Sequence, residues 1–131
     1  MIGIDTNVLV RFLVRDEEEQ FVRAQNLMCR ETGKDDPVFV SLLVLLETEW
    51  VLRSRYKLAK QEILSAFSDL LSSVDLCFED EACIEEALHV WKDAPAQFAD
   101  CLIGAHNRYC NCEATASFDT DALKLPGFVA A

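Results

Sequence analysis

The sequence predicts an α/β domain built on a mainly parallel central sheet of four or five strands flanked by helices. Short apolar runs at residues 1–5, 38–41, 74–78 and 113–118 are typical of strands, and longer segments with helical spacing separate them. This alternation predicts right-handed βαβ units and a sheet that is covered on both faces. Because 131 residues with 51 % hydrophobic content can bury one core, we expect a single domain over residues 1–131.

Helix signals follow the first strand directly. Residues 6–14 suit a helix that Asp5, Thr6 or Asn7 could cap. A second helix follows from the acidic stretch at residue 16, and residues 33–37 close it. Its expected inner positions are Phe21, Ala24, Leu27 and Met28.

The middle of the chain predicts three more helices by the same spacing. The segment "LLVLLETEWVLRSRY" indicates a long helix, Lys60 begins another, and Asp80 begins a third that ends near Lys92. The positions expected to face the core are Leu43, Leu46, Trp50 and Val51 in the first, Ile63, Leu64, Phe67, Leu70 and Leu71 in the second, and Ala87, Leu88 and Trp91 in the third. After Pro95, "QFADCLIGAHNRYC" predicts a helix, "EATASF" a strand, and "DTDALKLPGF" a turn segment that bends at Pro126-Gly127.

The charge balance argues against a protein that binds nucleic acid by bulk attraction. The net charge is -11, from 23 acidic and 12 basic residues, whereas phosphate binding normally needs a basic surface. A role on nucleic acid therefore depends on local basic residues, which are also compatible with ordinary solvated faces. The candidates for guiding a phosphate backbone are Arg11 and Arg15, and the cluster of Arg53, Arg55, Lys57 and Lys60.

We expect neither a targeting signal nor a membrane-spanning segment in this sequence. No basic region precedes the first strand, and no apolar run reaches the ~18 residues that a membrane span requires. We expect a soluble cytoplasmic protein that does not bind a membrane.

The six cysteines fall at irregular intervals, five of them in apolar or helix-like stretches. We expect reduced thiols in the core, where a free cysteine behaves as a small hydrophobe. The alternative is a zinc site of His106, Cys110 and Cys112, but this spacing lacks the paired Cys-x-x-Cys of structural zinc sites.

Two acidic positions lie where predicted strands end. Asp5 follows the first strand, and Asp119 follows "ATASF", with Asp121 two residues further on. In a parallel sheet, ligands bind outside the carboxyl ends of the strands. If the first and fourth strands are neighbours, these acids meet at one edge of the sheet.

Two further acids interrupt apolar helix faces. Glu47 lies within "LLVLLETEW" and Asp100 within "FADCLIGA". Several carboxylates buried together repel one another unless a cation neutralises them. A set of oxygen ligands without His or Cys favours Mg²⁺ or Mn²⁺ over zinc. The sequence therefore predicts a divalent metal site.

Each acid also has a purely structural interpretation. Asp5 suits a helix N-cap, Asp119 and Asp121 suit a turn, and Asp100 suits the first turn of a helix. Glu47 could pair with a base. We expect Glu49 to lie on the surface, paired with Arg53 four residues on.

The four acidic segments resemble the PIN-domain ribonucleases and, within them, the VapC-type toxins of bacterial toxin-antitoxin pairs. The resemblance runs in the family's order through "MIGIDTNVLVRFL", "LLETEWVLRSRY", "FADCLIGA" and "ASFDTDALKLPGF", nearly the whole chain. It implies a PIN-like fold with Asp5, Glu47, Asp100 and Asp119 as the metal-binding acids, and with Thr6, Asn7 and Ser117 as the polar residues that orient them. The chain departs from the pattern at Gln97, where another acid is common, and the spacing leaves open whether Asp119 or Asp121 is the inner ligand.

The resemblance further implies a function. The expected activity is Mg²⁺-dependent endoribonuclease cleavage of single-stranded or structured RNA, often tRNA, with Mn²⁺ able to substitute. In such a reaction the metal activates a water for attack on phosphorus. A homodimer and a cognate VapB-type antitoxin are also implied, and an acidic cleft would attract a basic antitoxin segment.

Two other functions compete with this expectation. A catalytically silent PIN-like interaction module would not need to keep all four acids, because an unused site retains the cost of their desolvation. A phosphoryl-accepting receiver domain also carries acids at strand ends, but it would need a Lys at the end of a late strand. Lys124 lies instead in the turn past the acid pair.

Overall fold

The computed structural model describes residues 1–33 and 36–131. Of residue 32, it describes the backbone but not the side chain. Within these ranges the chain forms two compact units, residues 1–79 and residues 80–131. The predicted loop at residues 33–37 falls partly outside the described ranges, at residues 34 and 35.

The first unit contains a parallel sheet of three strands, β1 (Ile2–Gly3), β2 (Val38–Val40) and β3 (Leu76–Phe78). The strands lie in the order β1-β2-β3, with Ile2 beside Val38 and Val38 beside Leu76. Val38 and Val40 are fully buried, as expected for the central strand of a covered parallel sheet. The predicted parallel pairing of these three strands is confirmed.

Four helices complete the first unit as the structure describes it: α1 (Thr6–Leu13), α2 (Glu18–Thr32), α3 (Leu42–Ser54) and α4 (Lys60–Leu71). Helix α1 packs against α2 and α3, and α3 packs against α4. The core side chains of α4 are Ile63, Phe67 and Leu70, three of the five positions that the spacing predicts.

The buried face of α3 differs from the predicted one. Leu45, Thr48, Glu49 and Leu52 are buried, whereas Leu43 and Trp50 are 77 % and 55 % exposed. The prediction that Leu43 and Trp50 face the core is therefore wrong. The segment carries apolar residues on several faces, so their count alone does not choose the face that is buried.

The second unit, as described, contains α5 (Glu81–Asp93), α6 (Phe98–Tyr109), β4 (Thr115–Ser117), a short 3₁₀ helix (Ala122–Lys124) and β5 (Phe128–Ala130). The helices α5 and α6 pack together, with Trp91 and Phe98 in contact at a ring-centroid distance of 5.2 Å. Strands β4 and β5 pair in parallel, with Thr115 beside Phe128. The buried positions Ala87, Leu88 and Trp91 agree with the sequence analysis.

The chain turn before β5 depends on Gly127, whose φ of 77° is a left-handed conformation that glycine adopts without strain. Its carbonyl accepts a hydrogen bond from the amide of Thr115 at 2.9 Å. The bend predicted at Pro126-Gly127 is present, but the strand that follows it was not predicted.

Among the described residues, no helix has the length and apolar character needed to cross a membrane.

The cysteines only partly follow the expectation of core thiols. All six are free, and Cys83 and Cys101 are buried. Cys29, Cys110 and Cys112 are exposed, so the expectation is wrong for these three. Cys29 lies in the last turn of α2, and Cys110 and Cys112 follow the end of α6. An apolar sequence neighbourhood does not bury a position at the end of a helix.

Candidate metal centre

Asp5 is placed by the junction between β1 and α1. Its backbone is extended, and its Oδ1 accepts a hydrogen bond from the amide of Val8 at 3.0 Å, which makes it the N-cap of α1. The carboxylate also lies at the helix N-terminus, where the helix dipole favours a negative charge. The local fold therefore holds one carboxylate oxygen in a fixed direction, and among the described residues the other oxygen accepts no hydrogen bond.

Asp5 shares a pocket with Glu47. The pocket has a volume of ≈260 Å³ and is lined by Asp5, Thr6, Asn7, Leu43, Val44 and Glu47. We call it the acidic pocket. In the part of the chain that the structure describes, neither carboxylate forms an ion pair with Lys or Arg. The polar side chains that line the pocket are the two carboxylates, the Thr6 hydroxyl and the Asn7 amide, and each of them offers an oxygen atom to a metal ion. Such a donor set fits a hard divalent cation.

Asp100 lies in the first turn of α6 and is half-buried. Its Oδ2 accepts a hydrogen bond from the amide of Gln97 at 3.3 Å, so the carboxylate satisfies a helix-end donor. The first-turn role considered in the sequence analysis is therefore present. This contact occupies one carboxylate oxygen.

Asp119, Asp121 and Ser117 form the turn that follows β4. The Ser117 hydroxyl accepts from the amide of Asp119 at 3.0 Å, and Asp119 Oδ1 accepts from the amide of Asp121 at 2.9 Å. Asp121 also faces Lys124, with 3.5 Å between its Oδ1 and the Lys124 Nζ. Both aspartates are exposed. The two acids thus differ: the Asp121 carboxylate has a cationic partner, whereas the Asp119 carboxylate accepts from one backbone amide.

Within each unit, the described residues contain no group of three or more His, Cys, Asp or Glu side chains that could hold a metal ion. The first unit brings Asp5 and Glu47 to one pocket, and the second brings Asp119 and Asp121 to one turn. The zinc alternative has one short contact, between Cys110 Sγ and His106 Nε2 at 3.8 Å.

Glu49 corrects one expectation of the sequence analysis. Its ion pair with Arg53 is present, with 2.9 Å between Oε2 and Nε, but the side chain is 2 % exposed and not on the surface. Because Arg53 neutralises the carboxylate, Glu49 can be buried on the inner face of α3. Arg53 is therefore engaged in holding α3 rather than being free for a ligand.

The other basic candidates differ in their partners. Arg15 forms two hydrogen bonds with Glu18, at 2.6 and 2.8 Å, which raise the pKa of Arg15 and lower the pKa of Glu18. Arg11 donates to Gln20 at 2.6 Å and to Tyr56 at 2.8 Å. Arg55 and Lys57 are exposed.

A second pocket of the first unit contains two residues that the sequence analysis did not single out, Gln20 and Arg23. The pocket lies between α1 and α2, has a volume of ≈320 Å³, and includes Arg11. The spacing of Gln20, Arg23 and Leu27 places them on one side of α2 next to the buried Ala24. This helical spacing of two polar residues beside apolar ones is the sequence feature that could have indicated Gln20 and Arg23.

Comparisons with known proteins place the chain in a family. The PIN domain family model matches residues 2–127. A solved structure, the sarcin-ricin loop cleaving toxin VapC20 of Mycobacterium tuberculosis, is 22 % identical, with 100 % of this chain and 98 % of that chain covered and a TM-score of 0.43. No curated protein matches the sequence. Since the family model covers almost all of the sequence, the chain belongs to the PIN domain family.

Proposed function

We propose that this chain is a metal-dependent endoribonuclease that hydrolyses RNA phosphodiester bonds and acts as a VapC-type toxin. Membership of the PIN domain family supports the activity class. The main structural support for the proposal is the acidic pocket, where Asp5 and Glu47 lie without a cationic partner among the described residues. Carboxylates left unpaired in one pocket are expected where a cation binds.

The proposed metal ligands are Asp5, Glu47, Asp100 and Asp119, with Mg²⁺ as the ion and Mn²⁺ able to replace it. The second unit supports Asp119 over Asp121 as the inner ligand, because Asp121 already faces Lys124. When bound, the ion supplies positive charge that favours deprotonation of an attacking water and stabilises the phosphate oxygens.

The chain's own residues position the ligands for this reaction. The Val8 amide fixes one oxygen of Asp5, and the Gln97 amide fixes one oxygen of Asp100. Ser117 holds the backbone of Asp119 through its hydroxyl. Such contacts orient a carboxylate and reduce the reorganisation needed during catalysis. We propose that Thr6 and Asn7, which line the acidic pocket, contribute to the same orientation.

The proposed partners follow from the charge of the acidic pocket and the family. A cognate VapB-type antitoxin would insert a basic segment there and compete with the metal. We further propose a homodimer that acts on single-stranded or structured RNA, such as tRNA, in the cytoplasm.

Cleavage of a fluorescently labelled RNA pool by the purified chain tests the proposal. We expect cleavage with Mg²⁺ or Mn²⁺ and none with excess EDTA. Asp5→Asn and Glu47→Gln should each lower the rate by about 100-fold or more, the order expected when a group that stabilises transition-state charge is removed. Asp69→Asn, which changes an exposed acid on α4, should leave the rate unchanged.

Two outcomes would overturn the proposal. Cleavage that persists in EDTA would exclude a metal-dependent mechanism. A folded protein that cleaves no RNA under any metal condition would instead support the silent interaction module, in which Asp5, Asp100 and Asp119 serve only as caps and turn residues.

A further inference from the structure

The pocket between α1 and α2 has the size and chemistry of a ligand site. Its volume of ≈320 Å³ lies at the lower end of the ~300–1,000 Å³ range of small-molecule sites. We call it the basic pocket. Its lining residues are Asn7, Val8 and Arg11 from α1, and Gln20, Arg23, Ala24 and Leu27 from α2.

The lining of the basic pocket combines positive charge with an apolar floor. Arg11 and Arg23 are its charged residues, and no acid lines it among the described residues. The side chains of Val8, Ala24 and Leu27 supply the apolar surface. A guanidinium beside an apolar surface suits a ligand that has both a phosphate and a flat ring.

The two arginines of the basic pocket have different partners. Arg11 is fixed by Gln20 and Tyr56, and its Nη1 lies 3.6 Å from Asp16 Oδ1, so its charge is partly balanced. Arg23 is exposed and has no hydrogen bond or ion pair among the described residues. Arg23 is therefore the cation that remains available for an incoming anion.

The basic pocket adjoins the acidic pocket on the same helix. Asn7 lines both pockets, with Asp5 on one side and Arg11 on the other. Four residues of α-helix, from Asn7 to Arg11, rise about 6 Å. The two pockets therefore lie close enough for one single strand to reach from the acidic pocket into the basic pocket, which Arg23 lines.

We propose that the basic pocket binds the nucleotide next to the cleaved phosphodiester of a single-stranded RNA. This inference rests on the proposed ribonuclease function. Arg23 contacts the phosphate, the apolar floor contacts the base and ribose, and the amides of Asn7 and Gln20 are placed to form hydrogen bonds to the base edge or the 2′-hydroxyl. The pocket thus supplies local attraction for RNA on a chain whose net charge is -11.

Fluorescence anisotropy with a short labelled single-stranded RNA of mixed sequence tests this site without requiring cleavage. The full chain carries Asp5→Asn, so that the RNA stays intact during the measurement. Arg23→Ala is compared with Lys92→Ala, which removes an exposed charge on α5 that also has no partner among the described residues. Both variants change the net charge equally, so a difference between them reports a contact rather than bulk attraction.

We expect Arg23→Ala to weaken RNA binding by about 10-fold and to lower the slope of log Kd against log salt by about 0.7, the value for one phosphate contact to a single strand. Lys92→Ala should change both quantities much less, and Arg23→Lys should restore part of the affinity. Equal effects of Arg23→Ala and Lys92→Ala would overturn the inference while leaving the ribonuclease proposal intact.

Two further outcomes separate the inference from its premise. One outcome is that Arg23→Ala weakens the binding of poly-glutamate but leaves RNA binding unchanged. This result would assign the basic pocket to an acidic protein segment and overturn the RNA site. Failure of the wild-type chain both to bind and to cleave RNA would overturn the ribonuclease proposal and, with it, this site.

Discussion

Arg53 Nε lies 2.9 Å from Oε2 of Glu49, a carboxylate on a side chain that is only 2 % exposed. The pair joins successive turns of α3, with Glu49 inside and Arg53 partly in solvent. A buried carboxylate that loses its cationic partner keeps its desolvation cost without compensation. The pair therefore decides which face of α3 can be buried.

Removing the cation of this pair should destabilise the first unit. We expect Arg53→Ala to lower the free energy of unfolding by about 2 kcal/mol, since part of the Glu49 carboxylate is left unpaired. Urea denaturation measures this change. Arg55→Ala, two residues away and exposed, should stay within ~0.5 kcal/mol of the wild type. Equal stability of the two variants would show that Glu49 does not need Arg53.

A close approach of α6 and β5 depends on Gly104. A Cβ at this position would lie 2.5 Å from Cε2 of Phe128. Gly104→Ala should therefore destabilise the protein by about 1–3 kcal/mol through overpacking. Thermal and urea unfolding measure the loss, and Phe128→Leu in the same chain should recover part of it.

The matched control for Gly104 is Gly33, at the end of α2. The atoms nearest to a Cβ at Gly33 are 3.5 Å away, and its backbone is in the right-handed helical region. Gly33→Ala should be neutral or stabilising by up to ~1 kcal/mol. If Gly104→Ala were as well tolerated as Gly33→Ala, the packing of Phe128 on α6 would be contradicted.

The two roles of Asp5 can be separated by substitution. Asparagine is as good an N-cap as aspartate, so Asp5→Asn should keep the stability of the wild type within ~0.5 kcal/mol while removing the metal-binding carboxylate. Asp5→Ala should lose about 1 kcal/mol as well, because the Val8 amide loses its acceptor. Circular dichroism with denaturation, beside the cleavage assay, distinguishes them. Retained cleavage in either variant would contradict the catalytic role.

The buried Cys83 predicts an alkaline change in stability. Burial, with the nearby carboxylates of Asp80 and Glu86, raises the pKa of the Cys83 thiol from 9.0 to about 11, while Arg108 opposes the shift and Cys110 adds to it. A folded pKa above the unfolded one means that this stabilisation is complete below pH 9.0 and is lost as the pH rises towards 11.

Melting temperatures from pH 8 to pH 11 therefore test the environment of Cys83. Between pH 9 and 11 the wild type should lose stability faster than Cys83→Ala. Cys112→Ala, which changes an exposed cysteine, should follow the wild type. Parallel curves for the wild type and Cys83→Ala would mean that the thiol is not desolvated in the fold.

The order of helices and strands was largely predictable, because each element carries its own local signal. Lys60 begins α4 as predicted, and Ala87, Leu88 and Trp91 face inward from α5. Strand β5 was missed because three residues after a Pro-Gly bend are too few to show a period.

The face of α3 could not be read from hydropathy. Leu43 and Trp50 are apolar but exposed, while Glu49 is charged but buried. The deciding fact is the pairing of Glu49 with Arg53, whereas Glu47 has no such partner among the described residues and stays exposed. The spacing predicts the ion pair of Glu49 with Arg53 correctly but not its burial, because an ion pair is compatible with an exposed and with a buried carboxylate.

The candidate acids were identified from their positions at strand and helix ends, and the structure gives three of them local contacts of their own. Asp5 caps α1, Asp100 accepts from Gln97, and Asp119 closes a turn. A capping role and a ligand role use different oxygens of one carboxylate, so sequence pattern cannot distinguish them. Arg23 was missed for a similar reason, since an exposed arginine on a helix has no distinctive pattern until the pocket beside it is known.

Anomalous diffraction from crystals of the chain grown with Mn²⁺ tests whether the acids bind a divalent ion. We expect a Mn²⁺ peak bonded to carboxylate oxygens of both Asp5 and Asp100, at the ~2.0–2.2 Å typical of a small divalent ion. A well-occupied peak ligated by neither residue, or no peak under conditions where the chain cleaves RNA, would disprove the proposed metal centre.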